Sequence, residues 1–541
     1  MTRDISESIP SIVEHITLKM KVEGMPGLAV AVTDREGVVW ESAFGHSDIE
    51  AGDELTPDHL FQIGSISKSF ADIILLQMRD EGLLDLHRPV TDYIPWFQLR
   101  SGHGPITLHH LMTHTAGLPL GSDDTISAVT EVMALRGLDA STPPGEHFHY
   151  SNTGYKAIGL VMEGLSRKSF PEVLRERILE PLQMRSSEPA IDNSLRDRLA
   201  VGYAPFIDDR PLARNGRLAP STWFESDTAD GSICSNIRDM CQYIRMILNR
   251  GEGPGGRILS EEGFRLLTAP YIRPDDSVHG EEYAYGLNIE HVDGHLYVGH
   301  TGGMVGFNSS MLMDMDEGLG VIILINSPGR PDEISRFVLD ILRADSDPGR
   351  PRPDIVPENP FSVKKGEQYS GEYRSVDGRV LGICVKDGGL WIHHNGCESQ
   401  AEKLGEDRFL VHSSHLDMFE LRFGRSDGEV VEALHGPDAF FNDRYSGPAE
   451  FRYPEEWNGY TGHFRSHNPW LTNFRVVVRK GVLRIIDPSG LDEPLVPLPG
   501  GDFRIGEDPR CPESVRFDSL LNGRAHMAFI SGGAATRVST P

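Results

Sequence analysis

Apolar residues recur at helical spacing after Phe61-Gln62-Ile63-Gly64. Ile66, Phe70, Ile73, Ile74 and Met78 share a face, and Gly82 ends the pattern as glycine does past a helix C-terminus. The same period predicts helices over 12–23, over 106–114 with Thr107 as cap, from Tyr155 to Leu165, and over 171–182, 236–249 and 332–343. Apolar runs at strand spacing fall instead at Gly27–Thr33, Val38–Phe44, Leu296–His300, Ser309–Met313 and Val321–Ile325. The first two are joined by Asp34-Arg35-Glu36-Gly37 as a hairpin. Strands at both ends with helices between predict one mixed α/β (α+β) domain over 1–345, with a sheet that needs both ends.

Residues 346–366 break this rhythm. Asp347-Pro348-Gly349-Arg350-Pro351-Arg352-Pro353 is proline-rich and polar, the composition of a linker. Beyond it the chain repeats itself. Tyr369-Ser-Gly-Glu-Tyr-Arg-Ser375 matches Tyr460-Thr-Gly-His-Phe-Arg-Ser466, and Gly389-Leu-Trp-Ile392 parallels Val482-Leu-Arg-Ile485. Gly405-Glu-Asp-Arg-Phe409 parallels Gly500-Gly-Asp-Phe503, and Phe419–Phe423 parallels Glu513–Phe517. Each copy is a series of short alternating strands separated by turn residues. This predicts two small antiparallel β-barrels, over 367–453 and 454–541, because closure removes unpaired strand edges.

A chain of 541 residues exceeds one core, in line with several domains. The formal charge of −28 argues against nucleic acid and against an anionic membrane as partners. No apolar run is long enough to span a bilayer, and Met1–Glu7 lacks the core of a secretion signal. The five cysteines are odd in number and lack metal-site spacing; Cys234 and Cys241, seven apart, are expected as buried residues on a helix. A reducing, cytoplasmic location is the simplest expectation.

Three stretches carry candidate chemistry. Ser65 and Lys68, three apart at the helix start, would share a face. A lysine partly desolvated near a helix N-terminus can help take the proton of a serine nucleophile, and the N-terminal amides favour an oxyanion beside it. Tyr150-Ser151-Asn152 adds a phenol that would serve as general base if Lys68 lay close, and an amide able to hold both a substrate carbonyl and Lys68. His300-Thr301-Gly302-Gly303 would, beside Ser65, pair the Gly303 amide with that of Ser65 as an oxyanion hole. Glycines there let substrate approach the backbone, so His300, Thr301 and Gly302 are candidate substrate contacts. Taken singly, each stretch is as well explained by a helix start, a turn or a strand end. Gly251–Gly256 fits a nucleotide-loop pattern but follows a helix and contains Pro254. His110 and His114 have zinc-type spacing, yet Leu111 stands where a metalloprotease needs glutamate; packing and capping are the expected roles. No metal or other cofactor is expected.

In that order and spacing, Ser-x-x-Lys, Tyr-x-Asn and His-Thr-Gly resemble the class C β-lactamase and penicillin-recognising serine hydrolase family over about residues 10–345. Ile106–Leu118, Pro144-Gly-Glu146, Pro181–Met184 and Gly299–Gly303 support the likeness. Within that family the chain is most similar to the D-stereospecific aminopeptidases, which join such a domain to two eight-stranded, lipocalin-like barrels. The resemblance implies Ser65 as nucleophile, Lys68 and Tyr150 as the proton-handling pair and Asn152 as positioning group. His300 stands where β-lactamases carry lysine, so a substrate carboxylate would be held less well. It also implies a loop of the last barrel shaping the pocket, for which Arg465–Leu471 is the candidate. The expected substrate is a small molecule or peptide, and a homodimer is compatible with the reading. The alternatives are a broad carboxylesterase and a penicillin-binding sensor that turns over slowly.

Overall fold

A computed structural model describes residues 4–100, 102–121, 127–214, 216–277, 280–347, 349–448 and 450–539. Pro348 of the linker and residues 1–3 of the N-terminal segment lie outside these. The chain divides into two compact units: Met1–Ala204, Leu218–Pro357 and Arg510–Pro512 in one, Pro205–Arg217, Glu358–Pro509 and Glu513–Pro541 in the other.

In the first unit, α1 (Ile9–Glu23) leads into β1 (Gly27–Asp34), β2 (Val38–Asp48) and β3 (Asp53–Glu54). Helices α2 (Ser67–Asp80), α3 (Leu108–Met112), α4 (Asn152–Ser166) and α5 (Ile237–Leu248) follow. Strands β4 (Glu282–Tyr283), β5 (Asn288–Val292), β6 (His295–Met304), β7 (Phe307–Asp314) and β8 (Leu319–Ile325) and helix α6 (Pro331–Ser346) complete it. The sheet order is β4-β5-β6-β7-β8-β1-β2-β3. Its centre joins the two ends of the domain, with Leu28 opposite Ile325 and Val32 opposite Val321.

The alternation along β1 decides how the sheet is covered. Leu28, Val30 and Val32 point to one face and pack with Ile12, Ile16, Val338 and Ile341 of α1 and α6. Ala29 and Ala31 point to the other and join Phe70, Ile73 and Ile244 of α2 and α5. These side chains are essentially fully buried, and each such Val or Ile contributes about 1.5–3 kcal/mol.

Local differences from the expected elements have physical causes. Residues 171–182 form Phe170–Leu174 and then a π-helical turn, Arg175–Leu179. Cys234 lies on a two-residue strand, Cys234–Ser235, paired with Phe61–Gln62, and not on a helix; Asn236 caps α5 after it by accepting from the Asp239 amide. Both cysteines are buried. The strand expected to stop at His300 runs on to Met304, because Thr301, Gly302 and Gly303 keep their register against Ser310, Ser309 and Asn308.

In the second unit, Gly371–Phe441 and Gly462–Val538 each form a closed eight-stranded antiparallel barrel. Arg374 opposite Phe441 closes the first and His463 opposite Val538 the second. The repeated motifs fall on corresponding strands: Gly389–His394 and Val482–Ile486 are the third in their barrels, Leu421–Ser426 and Ser514–Leu521 the sixth. Asp387-Gly388 and Lys480-Gly481 take positive φ at both central turn positions, the mirror-image geometry that suits strand twist. Residues 205–217, an excursion of the N-terminal chain, pack with this unit. There Arg210 meets Asp417 at 3.1 Å and the Asn473 amide donates to the Asp208 carbonyl at 2.7 Å.

Candidate active site

Ser65 does not stand on the α-helix itself. It lies in a 3-10 turn, Gly64–Ile66, that feeds directly into α2. The turn is set by its neighbours. Phe61–Gln62 pairs with Cys234–Ser235, and the Ile63 amide donates to the Ile233 carbonyl at 3.0 Å, which anchors residues 230–235 alongside. Gly64 has φ 56°, and a Cβ there would lie 2.6–2.7 Å from the Gly303 backbone. Gly302 is tighter still, because a Cβ would collide with the Ile63 carbonyl. Ser309 donates to that carbonyl at 2.8 Å. Backbone pressed on backbone brings the end of β6 to the serine, and only glycine allows it.

Lys68 is completely buried. Its Nζ donates to Ser65 Oγ at 3.0 Å and to the Asp230 carbonyl at 2.7 Å. One bond aims the Lys68 side chain at Ser65 and the other fixes it there. The Tyr150 ring lies beside it, with Nζ 4.9 Å from the ring centroid. The Tyr150 hydroxyl is buried and has no hydrogen-bond partner among the described residues.

Tyr150 is placed by the turn before α4. Ser151 caps that helix by accepting from the Gly154 amide at 3.1 Å and donates to the Pro119 carbonyl at 2.6 Å. The Asn152 amide donates to the Leu120 carbonyl at 2.7 Å, which sets Asn152 at the first helical position. His114, at φ 55°, accepts from the Ser151 amide through Nδ1 at 3.0 Å and packs its ring, tilted by 31°, 4.1 Å from that of Tyr150. His110 completes a capping box with Thr107. Both histidines thus pack and cap, the roles expected with Leu111 standing where a metalloprotease needs glutamate.

His300 is 7% exposed and donates through Nδ1 to the Thr301 carbonyl. Its Nε2 then accepts from the Tyr283 hydroxyl at 3.2 Å. Burial, helped by the nearby Lys68 charge and opposed by the Thr301 carbonyl, pushes its pKa down to about 4. A neutral imidazole therefore occupies this place at pH 7. Thr301 is exposed and Gly303 half-buried on the same strand.

The structure thus brings Ser65, Lys68, Tyr150, His300, Gly302 and Gly303 together, with Asn152 and Thr301 on the adjoining backbone. The sequence reading missed Asp72, Tyr155 and Tyr283. Asp72 is fully buried one turn behind Lys68, and Tyr155 donates to its Oδ2 at 2.7 Å. Among the described residues, the groups with metal-type donors within 4.8 Å of one another, such as His295-Asp314-Asp316 and Cys384-His393-Glu398, include none of these residues.

The family model described as Beta-lactamase matches residues 12–345, which include every residue of this cluster. This chain belongs to the Beta-lactamase family. It carries that family's serine-hydrolase fold, followed by the two closed barrels. Protein flp of Staphylococcus aureus strain MW2 is 24% identical over 335 residues, 60% of this chain and 64% of flp, so the match spans under two thirds of that relative. Penicillin-binding protein 4 of Amycolatopsis lactamdurans is 28% identical over 315 residues, 56% of this chain and 81% of its own. Among solved structures, the octameric penicillin-binding protein homologue from Pyrococcus abyssi is similar with a TM-score of 0.60 and 27% identity. That likeness covers 80% of this chain and all of the homologue. No helix among the described residues is long and apolar enough to cross a membrane.

Proposed function

We propose that this Beta-lactamase-family chain is a serine hydrolase acting through an acyl-enzyme on Ser65, and that it releases N-terminal D-residues from peptides and amides. The observation that carries the reading is the buried Lys68 ammonium 3.0 Å from Ser65 Oγ. Ser65 attacks the carbonyl while Tyr150, aided by Lys68, takes its proton. The oxyanion rests on the amides of Ser65 and Gly303. Tyr150 returns the proton to the leaving amine, and water then attacks the acyl-enzyme with the same pair as base. Asn152 positions the substrate carbonyl, and His300, Thr301 and Gly302 line its path. No cofactor enters the scheme.

The substrate choice rests on two features. A neutral His300 gives a carboxylate little to bind, which speaks against penicillins and free peptide C-termini as preferred substrates. The two closed barrels match the domain plan of the D-aminopeptidases. A broad carboxylesterase is the second reading, because a neutral His300 suits an uncharged ester equally well. A homodimer and a cytoplasmic location belong to the same proposal. The buried thiols of Cys234 and Cys241 fit a reducing compartment, and light scattering of the purified protein tests the assembly.

The test is the hydrolysis rate of D-alanine p-nitroanilide against its L enantiomer, with Ser65→Ala as blank. A large D preference that vanishes in Ser65→Ala is expected. Negligible rates on both, with fast turnover of short p-nitrophenyl esters, would replace the aminopeptidase by the esterase. Stable labelling of Ser65 without turnover would favour a penicillin-binding sensor. Full activity in Ser65→Ala would sink the mechanism.

A further inference from the structure

Asp72 is an unusual neighbour for a proton-handling lysine. It sits four residues beyond Lys68, so both project from the same side of α2. Both are 0% exposed. Tyr155, from α4, stands between the two elements: its hydroxyl donates to Asp72 Oδ2 at 2.7 Å, and its ring centroid is 5.4 Å from Lys68 Nζ. The fit around the carboxyl is close, since a Cβ on Gly286 would lie 2.6 Å from Oδ2. Asp72 Oδ1 has no hydrogen-bond partner among the described residues.

The charges around the two groups are few. Asp72 acts on Lys68, on Tyr155 from α4, on Tyr243 from α5, and on Tyr271, Tyr283 and Tyr285 from the 271–285 stretch. Burial holds all five tyrosines protonated. Lys68 in turn faces Tyr150, the Asp230 carbonyl, His114 and His300, and burial keeps both histidines neutral. Lys68 is thus the cation that Asp72 meets. Burial pushes the Asp72 carboxyl well above the usual carboxylate range and outweighs the Tyr155 hydrogen bond and the Lys68 charge, which favour its ionised form.

We infer that Asp72, held by Tyr155, is a positioning residue that sets the pH at which the Lys68–Tyr150 pair can accept the Ser65 proton. This rests on the proton-handling role given above to that pair. The pair is ready when it holds one proton and idle when it holds two. Above the pH at which Asp72 ionises, its carboxylate behind Lys68 favours the more positive, idle form. Removing that negative charge lets the pair shed its extra proton at lower pH. Asp72 does this without touching substrate.

The test is the rate of Ser65 labelling by a fluorophosphonate probe, measured against pH in the full-length chain. The probe needs no knowledge of the natural substrate: Ser65 Oγ bonds to phosphorus and fluoride leaves. In Asp72→Asn, which keeps the shape and an acceptor for Tyr155, the acid limb should move to lower pH by about one unit. Tyr155→Phe withdraws the bond that favours the charged carboxyl, so its limb should move the same way. The double variant should move no further than Asp72→Asn alone. Near-ultraviolet circular dichroism checks that each variant is folded, and Tyr155→Phe decides the matter if Asp72→Asn does not fold. Superimposable profiles in the folded variants would overturn the role of Asp72. Undiminished labelling in Ser65→Ala would instead overturn the Ser65 mechanism on which it rests.

Discussion

At the scale of single residues, the contrast between Lys68 and His300 governs what the site can hold. Lys68 spends its charge inward, on Ser65 and the Asp230 carbonyl. His300 has lost its charge to burial, so the pocket offers an incoming carboxylate no cation at that strand. His300→Lys should therefore raise the rate constant for Ser65 labelling by benzylpenicillin roughly tenfold, about 1.4 kcal/mol. His300→Gln should give no gain, and equal rates in both variants would show that this position does not choose between charged and neutral substrates. Ser65, Lys68, Tyr150 and His300 were legible in the chain because each belongs to a short motif at a fixed offset. Asp72 was not. An aspartate within an apolar run reads as the solvated edge of a helix, and only the folded structure shows that α2 is covered on every side. The available signal was Lys68 and Asp72 four apart in a run otherwise rich in Ile, Leu and Phe.

At the scale of elements, β6 does the work of delivery. Its last residues remain in register with β7 while pressing on the Ile63–Gly64 backbone, so this close approach beside Ser65 depends on the absence of side chains at Gly302 and Gly64. Gly302→Ala should cost about 3 kcal/mol or more and abolish turnover, because the carbonyl it meets is backbone and cannot swing away. Thermal unfolding and activity measured together check this; an active variant with unchanged melting would disprove the contact. The period of apolar residues gave the positions of the main helices and strands. It failed where tertiary contacts decide: at the 3-10 turn under Ser65, at the π-helical turn after Leu174, and at Cys234, which a strand partner takes from the helix. The tail repeat was legible at four of the eight strands of each barrel, the first, third, fifth and sixth, where matching motifs recur.

At the scale of the whole molecule, the two units should answer acid differently. His114 and His300 are buried neutral, whereas in the unfolded chain each binds a proton near pH 6.5. Protons bound only by the unfolded form draw the equilibrium toward it, so the stability of the first unit should fall as pH drops from about 6.5 toward 4. The second unit shares this through His435 and His463, which burial also lowers, but it carries the opposite case as well. Asp492 accepts from Arg479 at 2.8 and 2.9 Å with both side chains 5% exposed, and Arg479 also donates to the Gly436 carbonyl. Burial opposes the Asp492 charge, but the guanidinium outweighs it and holds the carboxyl below its ordinary value of 3.8. That contribution is complete above about pH 4 and is lost only as pH falls further. Calorimetry between pH 7 and 4 should show the first unit, with His300 held down to about 4 and His114 well below its ordinary value, losing more stability than the second. A single transition moving uniformly across that range would contradict the assignment.

The central strand pair has a consequence for how the protein is made. Leu28 meets its partner Ile325 across about 300 residues of chain. At about 5–20 residues per second on the ribosome, β1 waits roughly 15–60 s for the strand that shields it. Throughout that interval a run as apolar as Gly27-Leu-Ala-Val-Ala-Val-Thr33 has β2 along one edge and bare backbone along the other. A nascent chain with such an open edge invites pairing with its neighbours on the same message, so its yield in a living cell is a contest between translation speed and chaperone capture.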